Sequence, residues 1–158
     1  MDWVCSILVS RLFKFDMSSS VFIDVPVDRV WDLVETARNW PEWSKTCTHV
    51  WGAPDEDGWR VGHRFGFMLA MANRQIPFFV TLSRIESGEL IEWRSTKFTI
   101  TAVRSISVTQ ENGGCVVTDT KRFSSYLLPI RLAYPRGIIR RMTESWLSEL
   151  SSEAESNH

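Results

Sequence analysis

Cysteine is scarce: Cys5, Cys47 and Cys115 are odd in number, far apart, and lack both a CxxC pair and a neighbouring histidine pair. This argues against a disulfide framework or a structural zinc site and makes a reducing, cytoplasmic compartment the expectation. Charge of one sign is lacking too, because 18 basic residues face 19 acidic ones and no basic run stands out. Nucleic acid, which requires a concentrated positive footprint, is therefore not an expected partner. The chain has no HExxH, carboxylate cluster, GxGxxG or P-loop, so neither a metal nor a nucleotide cofactor is expected. It also lacks internal repeats, low-complexity stretches and Pro/Gly linkers. At 158 residues and 44% hydrophobic, it suits one domain with a real core.

No run is long and apolar enough to span a bilayer. The start, "MDWVCSILVSRLFKF", is apolar but short, and it has neither the basic opening nor the small-residue cleavage site of a secretory signal. Residues 1–17 read as an N-terminal extension. It is either an amphipathic surface segment in weak contact with membrane or partner, with Arg11 and Lys14 at its edge, or a segment that packs on its own domain. The domain is expected over 18–150, with "SSEAESNH" at 151–158 as a polar tail. Nothing in the sequence speaks to oligomeric state.

"SSVFIDV" is a β-rich strand that stops at Pro26. Val27, Val30, Trp31, Val34 and Ala37 then fall on one helical face, with Pro26 at its first turn and Asp28 favourable at that end of the dipole. Pro41 predicts that Trp40 leaves the helical conformation and that a short second helix restarts through Lys45. Six strand-like runs follow, from "THVWGA" to "CVVTDTKRFSS", separated by turn signals such as "PDEDG", "ESGE" and "ENGG". Ile139, Met142, Trp146 and Leu150 return to helical spacing after Pro135. A twisted antiparallel sheet of seven strands has an apolar face that one helix covers only in part, and the remainder tends to become a cavity.

"VFIDVPVDRVWDLVETARNWPEWSKTCTHV", "VGHRF", "LIEWRS" and "GGCVVTDTKRFSSYLLP" together resemble the polyketide cyclase and lipid-transport superfamily, called SRPBCC or START-like, over roughly residues 18–150. The resemblance implies an α+β helix-grip fold of the birch-pollen allergen type. In that fold a seven-stranded curved antiparallel sheet wraps around a long C-terminal helix, with two short helices after the first strand. It also implies an internal pocket for hydrophobic small molecules. It implies no single reaction, since the family includes carriers, sensors, aromatic cyclases and chaperones. Trp40 and Trp43 of "NWPEW" would lie where the helix–turn closes one end of the sheet, either packing the joint or touching a ligand.

The last hairpin defines one wall by counting. If Asn112-Gly113 is a two-residue type I′ turn, Glu111 pairs with Gly114 and residues opposite each other have numbers adding to 225. One face then carries Val108 with Val117, Ile106 with Asp119, Arg104 with Lys121 and Ala102 with Phe123. The other carries Ser107 with Thr118, Ser105 with Thr120 and Thr101 with Ser124. Small hydroxyls suit solvent, so the face bearing Arg104, Asp119 and Lys121 is the inner one. A longer loop or a bulge would shift the register by one and turn all three charges outward. Facing inward, two cations require an anion; Asp119 is diagonal to Arg104, and the surplus positive charge suits a ligand carboxylate, phenolate, enolate or phosphate. The resembled family often has a His and a Glu at matching places on these strands. Arg104 and Lys121 depart from that pattern.

His63 is in phase with Phe65, Phe67 and Leu69, so it is either a general acid or base in the pocket or a hydrogen-bonded residue at a strand end. Trp93 is expected on the pocket floor, with Lys97 farther along the same row toward the mouth. Ile76, Phe78, Val80 and Leu82 alternate as apolar lining. Met142 and Trp146 face the sheet from the helix, whereas Arg136, Arg140 and Arg141 lie off that row on a solvated face. The expected binding residues are thus Trp40, Trp43, Phe65, Phe67, Phe78, Val80, Trp93, Lys97, Ile106, Phe123, Met142 and Trp146, and the expected catalytic ones His63, Arg104, Asp119 and Lys121. Two functions fit: a cofactor-free cyclase, dehydratase or isomerase, or a non-catalytic carrier or chaperone of a hydrophobic metabolite. The ionisable groups facing inward tilt the reading toward the enzyme.

Overall fold

The sheet begins earlier than the run of hydroxyls suggests. A computed structural model describes residues 14–55, 58–97, 99–125 and 135–156. In it, strand β1 (Lys14–Ile23) pairs antiparallel with the last strand, from Lys14 opposite Ser124 to Ile23 opposite Cys115. Residues 14–17 therefore belong to the sheet rather than to an extension, because Phe15 and Met17 are buried and start the alternation of a half-buried strand. The rest of the expected extension, with its membrane contact, lies outside the described residues.

Helix α1 (Val27–Glu35) follows Pro26 and buries Val30, Trp31 and Val34. A 3₁₀ turn at Ala37–Asn39 runs into a single helical turn, α2 (Trp40–Trp43). Trp40 does not leave the helical conformation: its φ and ψ are −51° and −42°. The preference set by Pro41 is local, and it is overridden because Trp40 is only 1% exposed and its Nε1 donates to the Leu33 and Val34 carbonyls, 3.2 Å each. Nor does helix continue to Lys45, since Ser44 is already extended and its amide closes on the Trp40 carbonyl at 2.8 Å.

Strands β2 (Cys47–Trp51), β3 (Arg64–Met71), β4 (Arg74–Glu86), β5 (Leu90–Lys97), β6 (Ile100–Glu111) and β7 (Gly114–Ser125) complete the sheet, in the spatial order β1-β7-β6-β5-β4-β3-β2. The register shifts between Cys47 and His49 and between Leu82 and Arg84, and such bulges increase local twist. Helix α3 (Arg136–Ser156) lies on the concave face and buries Ile139, Thr143, Trp146, Leu147, Leu150 and Ala154. Residues 151–156 are its last turns and not a polar tail, because Ala154 follows Leu150 by four and stays on the buried face. This is the α+β helix-grip architecture: a curved seven-stranded antiparallel sheet around a long C-terminal helix, with two short helices after the first strand.

Asn112 (φ 48°) and Gly113 (φ 81°) both take positive φ, as a type I′ turn demands. The register that follows sets Glu111 opposite Gly114, Arg104 opposite Lys121 and Ile106 opposite Asp119. On the outer side Ser18 and Ser20 of β1 meet the Thr120 and Thr118 hydroxyls at 3.1 and 2.8 Å.

Candidate ligand cavity

Asp119 is 1% exposed at the centre of the inner wall. From β6, Arg104 Nη2 donates to Asp119 Oδ2 at 2.6 Å and Arg104 Nε to both carboxylate oxygens at 3.0 and 3.2 Å, a bidentate pair. Lys121 Nζ donates to Asp119 Oδ1 at 2.8 Å and to Thr143 Oγ1 at 2.7 Å. Thr143 in turn donates its hydroxyl to the Ile139 carbonyl at 2.8 Å, so it can only accept from the lysine. The Arg104 guanidinium lies between two indoles, 5.3 Å from the Trp93 ring and 4.8 Å from Trp146, where the ring faces stabilise its charge.

These contacts explain the protonation states. Burial alone would raise the Asp119 carboxyl, but the charges and hydrogen bonds of Arg104 and Lys121 outweigh it and hold the group below the usual carboxylate range. Burial, and then the neighbouring Arg104 charge, lower Lys121 to about 8 against the pull of Asp119. Burial also raises the Cys47 thiol to about 11, which leaves it a packing residue. Two cations against one carboxylate leave one positive charge in surplus below that lysine value.

Arg104 and Lys121 border a hollow between the sheet and α3, with Phe67, Leu69, Met71, Phe78, Val80, Trp93, Ser95, Ala102, Phe123, Ile139 and Met142. About 60 Å³ of it admits the centre of a water-sized sphere, several times the roughly 10–15 Å³ that one water needs.

The expected residues divide sharply. Phe67, Phe78, Val80, Trp93, Arg104, Lys121, Phe123 and Met142 line the hollow, and Asp119 lies behind the two cations. Trp40 does not line it: its ring packs at 5.7–6.4 Å against Phe65, Phe67, Trp93 and Trp146. Phe65, Ile106 and Trp146 are likewise buried in the core rather than on the lining, and Trp43 packs on Trp146 at 5.6 Å. His63 is outside the site. It precedes β3, its Nε2 lies 2.6 Å from the Gly52 carbonyl, and its ring meets Trp59 edge-on, so its phase with Phe65 does not carry it inward. Lys97 is exposed at the end of β5 and does not border the hollow.

Thr143, Leu69, Met71, Ser95, Ala102 and Ile139 are absent from the expected site residues, although the hairpin count places Ala102 on the inner face. Thr143 had a signal: it sits four after Ile139 and three before Trp146, on the buried stripe. Among the described residues no three His, Cys, Asp or Glu side chains converge as a metal site, and no helix is long and apolar enough to cross a membrane.

A curved sheet gripping one helix around an apolar hollow defines a class of protein that encloses hydrophobic small molecules. The chain belongs to the polyketide cyclase / dehydrase and lipid transport family, whose model matches residues 14–154. It is thereby a hydrophobic-ligand-binding protein of the SRPBCC type. No curated protein matches it by sequence. Among solved structures it is similar to the major latex-like protein 151 of Panax ginseng (TM-score 0.77, 11% identity, 90% of this chain and 99% of that one). It is also similar to the Zhui aromatase/cyclase of a Streptomyces species (0.73, 11%, 90% and 94%). A third is the di-domain aromatase/cyclase StfQ of the steffimycin biosynthetic pathway (0.76, 14%, 99% and 56%). At these identities the likeness is one of fold.

Proposed function

We propose that the chain takes up a small hydrophobic or aromatic molecule bearing an acidic or enolisable oxygen, places that oxygen against Lys121, and promotes cyclisation, dehydration or isomerisation without a cofactor. The observation that carries this is the surplus positive charge of the Arg104–Asp119–Lys121 cluster, buried and facing an apolar hollow. In such a site a fixed charge on a developing enolate is worth more than in water, and holding a flexible substrate in a shaped hollow adds orientation. The aromatase/cyclases with the same fold fit this reading.

His63 and Asp119 drop out as proton carriers. The first is outside the site, and the second is committed to two cations. Lys121, with its lowered basicity, is the titratable group at the hollow and the group that exchanges the proton at oxygen. The commitment of Asp119 also favours a second reading, a carrier that only holds an anionic head.

Calorimetric titration with benzoate and benzyl alcohol tests the binding. Benzoate binds the wild type more tightly at pH 7, and Lys121→Met lowers its affinity by roughly tenfold while leaving benzyl alcohol unchanged. Equal affinities for the two ligands would refute the anion site. Incubation with 4-hydroxy-4-phenylbutan-2-one separates the readings: an enzyme speeds its dehydration to the enone, and a carrier returns it unchanged.

A further inference from the structure

We infer that Lys121 is also an amine nucleophile that forms an imine with aldehydes or ketones entering the hollow. The inference rests on the ligand cavity proposed above and goes beyond it in making the contact covalent. Its ground is the hydrogen bonding of one nitrogen. Both partners of Lys121 Nζ are acceptors: Asp119 Oδ1 at 2.8 Å is a carboxylate oxygen, and Thr143 Oγ1 at 2.7 Å has given its own proton to the Ile139 carbonyl. When the amine is neutral, its two N–H bonds serve these two acceptors. Its lone pair is the direction that neither partner takes, and the side chain borders the hollow. A lysine meant only to neutralise Asp119 could sit behind the wall; this one is held at the surface of an apolar chamber.

The surroundings make the neutral amine more accessible than in an ordinary lysine. Arg104 on β6 and Asp119 on β7 are the charged groups facing Nζ among the described residues. The neighbours from α3 are Thr143, Ile139 and Met142, and β1 sets Met17 across the ladder; none of these titrates. Desolvation and the arginine charge then bring the amine to about 8, and such activation is how lysines become nucleophiles near neutral pH.

The step balances without a co-reactant. The lone pair attacks the carbonyl carbon, a C–N bond forms, and the oxygen takes an amine proton to give a carbinolamine. The C–O bond then breaks, water leaves with the second amine proton, and an imine remains. On protonation the iminium keeps its charge beside Asp119, which already pairs with the same nitrogen.

Reductive trapping decides it. The full-length chain is incubated with benzaldehyde and sodium cyanoborohydride, and benzyl adducts are located by peptide mass mapping. The chain has four lysines, Lys14, Lys45, Lys97 and Lys121, which gives an internal comparison. At pH 8 the neutral fraction favours Lys121 over an ordinary lysine by roughly a hundredfold, reduced to roughly tenfold because a less basic amine is a weaker nucleophile. The expected result is labelling of Lys121 roughly tenfold ahead of the other three, rising between pH 7 and 9 and suppressed by toluene. Lys121→Arg keeps the charge and loses that label; if it fails to fold, the wild-type map alone still decides. Label spread evenly, or confined to Lys14, Lys45 and Lys97, overturns the inference. Benzoate selectivity without a Lys121 adduct sinks the imine and leaves the anion site standing. A Lys121 adduct without benzoate selectivity does the reverse.

Discussion

The concave face of the sheet is solid at one end and hollow at the other, although aromatic side chains furnish both. At the solid end α2 pushes Trp40 into the sheet, where it meets Phe65, Phe67, Trp93 and Trp146 and satisfies its own N–H on two α1 carbonyls. At the hollow end Phe78 and Phe123 border the gap, but Ser95 and Ala102 are small and the Lys121 head stands where an aliphatic chain would otherwise pack. A cavity in a well-packed protein forfeits dispersion contacts on its lining. Here one side of the lining is the Arg104–Lys121 edge of a buried ionic cluster, which an apolar side chain could cover only at a desolvation cost.

That cluster gives the largest expected effect. Asp119→Ala leaves Arg104 and Lys121 buried without their carboxylate and destabilises by about 3–5 kcal/mol, read as a fall in the midpoint of urea unfolding. Adding Lys121→Met should recover part of the loss, because one of the two opposed cations goes with it. If Asp119→Ala alone is as stable as wild type, the cluster does not organise the wall.

The two ends can next be compared directly. Trp40→Ala removes a fully buried indole and should cost about 3–5 kcal/mol with little effect on a ligand bound in the remaining hollow. Phe78→Ala, half-buried on the lining, should cost about 1–2 kcal/mol and alter ligand affinity instead. Equal effects on stability and on binding from both substitutions would mean that the division between plug and pocket is wrong.

How much of this was legible depended on whether the rule was local. The Asn112-Gly113 turn fixed a register, and strict alternation carried it ten residues into each strand, so Arg104, Asp119 and Lys121 could be placed on one face by counting. His63 shows where counting stops. Gly62 takes φ 89° and β3 starts only at Arg64, so the alternation of the strand does not reach His63. Trp40 fails in a different way, since the restriction imposed by Pro41 is real but smaller than the burial it competes with. That the sheet would be covered only in part was legible, and so was packing as one role for Trp40, but where the plug ends and the hollow begins was not. That boundary is a sum of distances between strands and helices, and a sequence period reports only which side each residue faces.

The pH dependence of stability is the most diagnostic of what the hollow requires. Because Lys121 in the folded chain is lowered to about 8, the unfolded chain, near the ordinary value of about 10.4, binds more protons between those limits. Stability therefore rises with pH across that window, and the charged form of Lys121 is a burden on the fold at neutral pH. Lys121→Met leaves the bidentate Arg104–Asp119 pair intact and removes the burden, so it should be at least as stable as wild type at pH 7. Between pH 7 and 9.5 wild type should gain about 2 kcal/mol relative to the variant, measured as the change in the difference of their urea midpoints. A constant difference across that range would mean that folding does not lower Lys121, and the nucleophile would then lose its physical basis, whereas the anion site, which needs only the charge, would not. A gain confined to wild type would show that the chain tolerates an unfavourable buried charge at the one place where a ligand can make use of it.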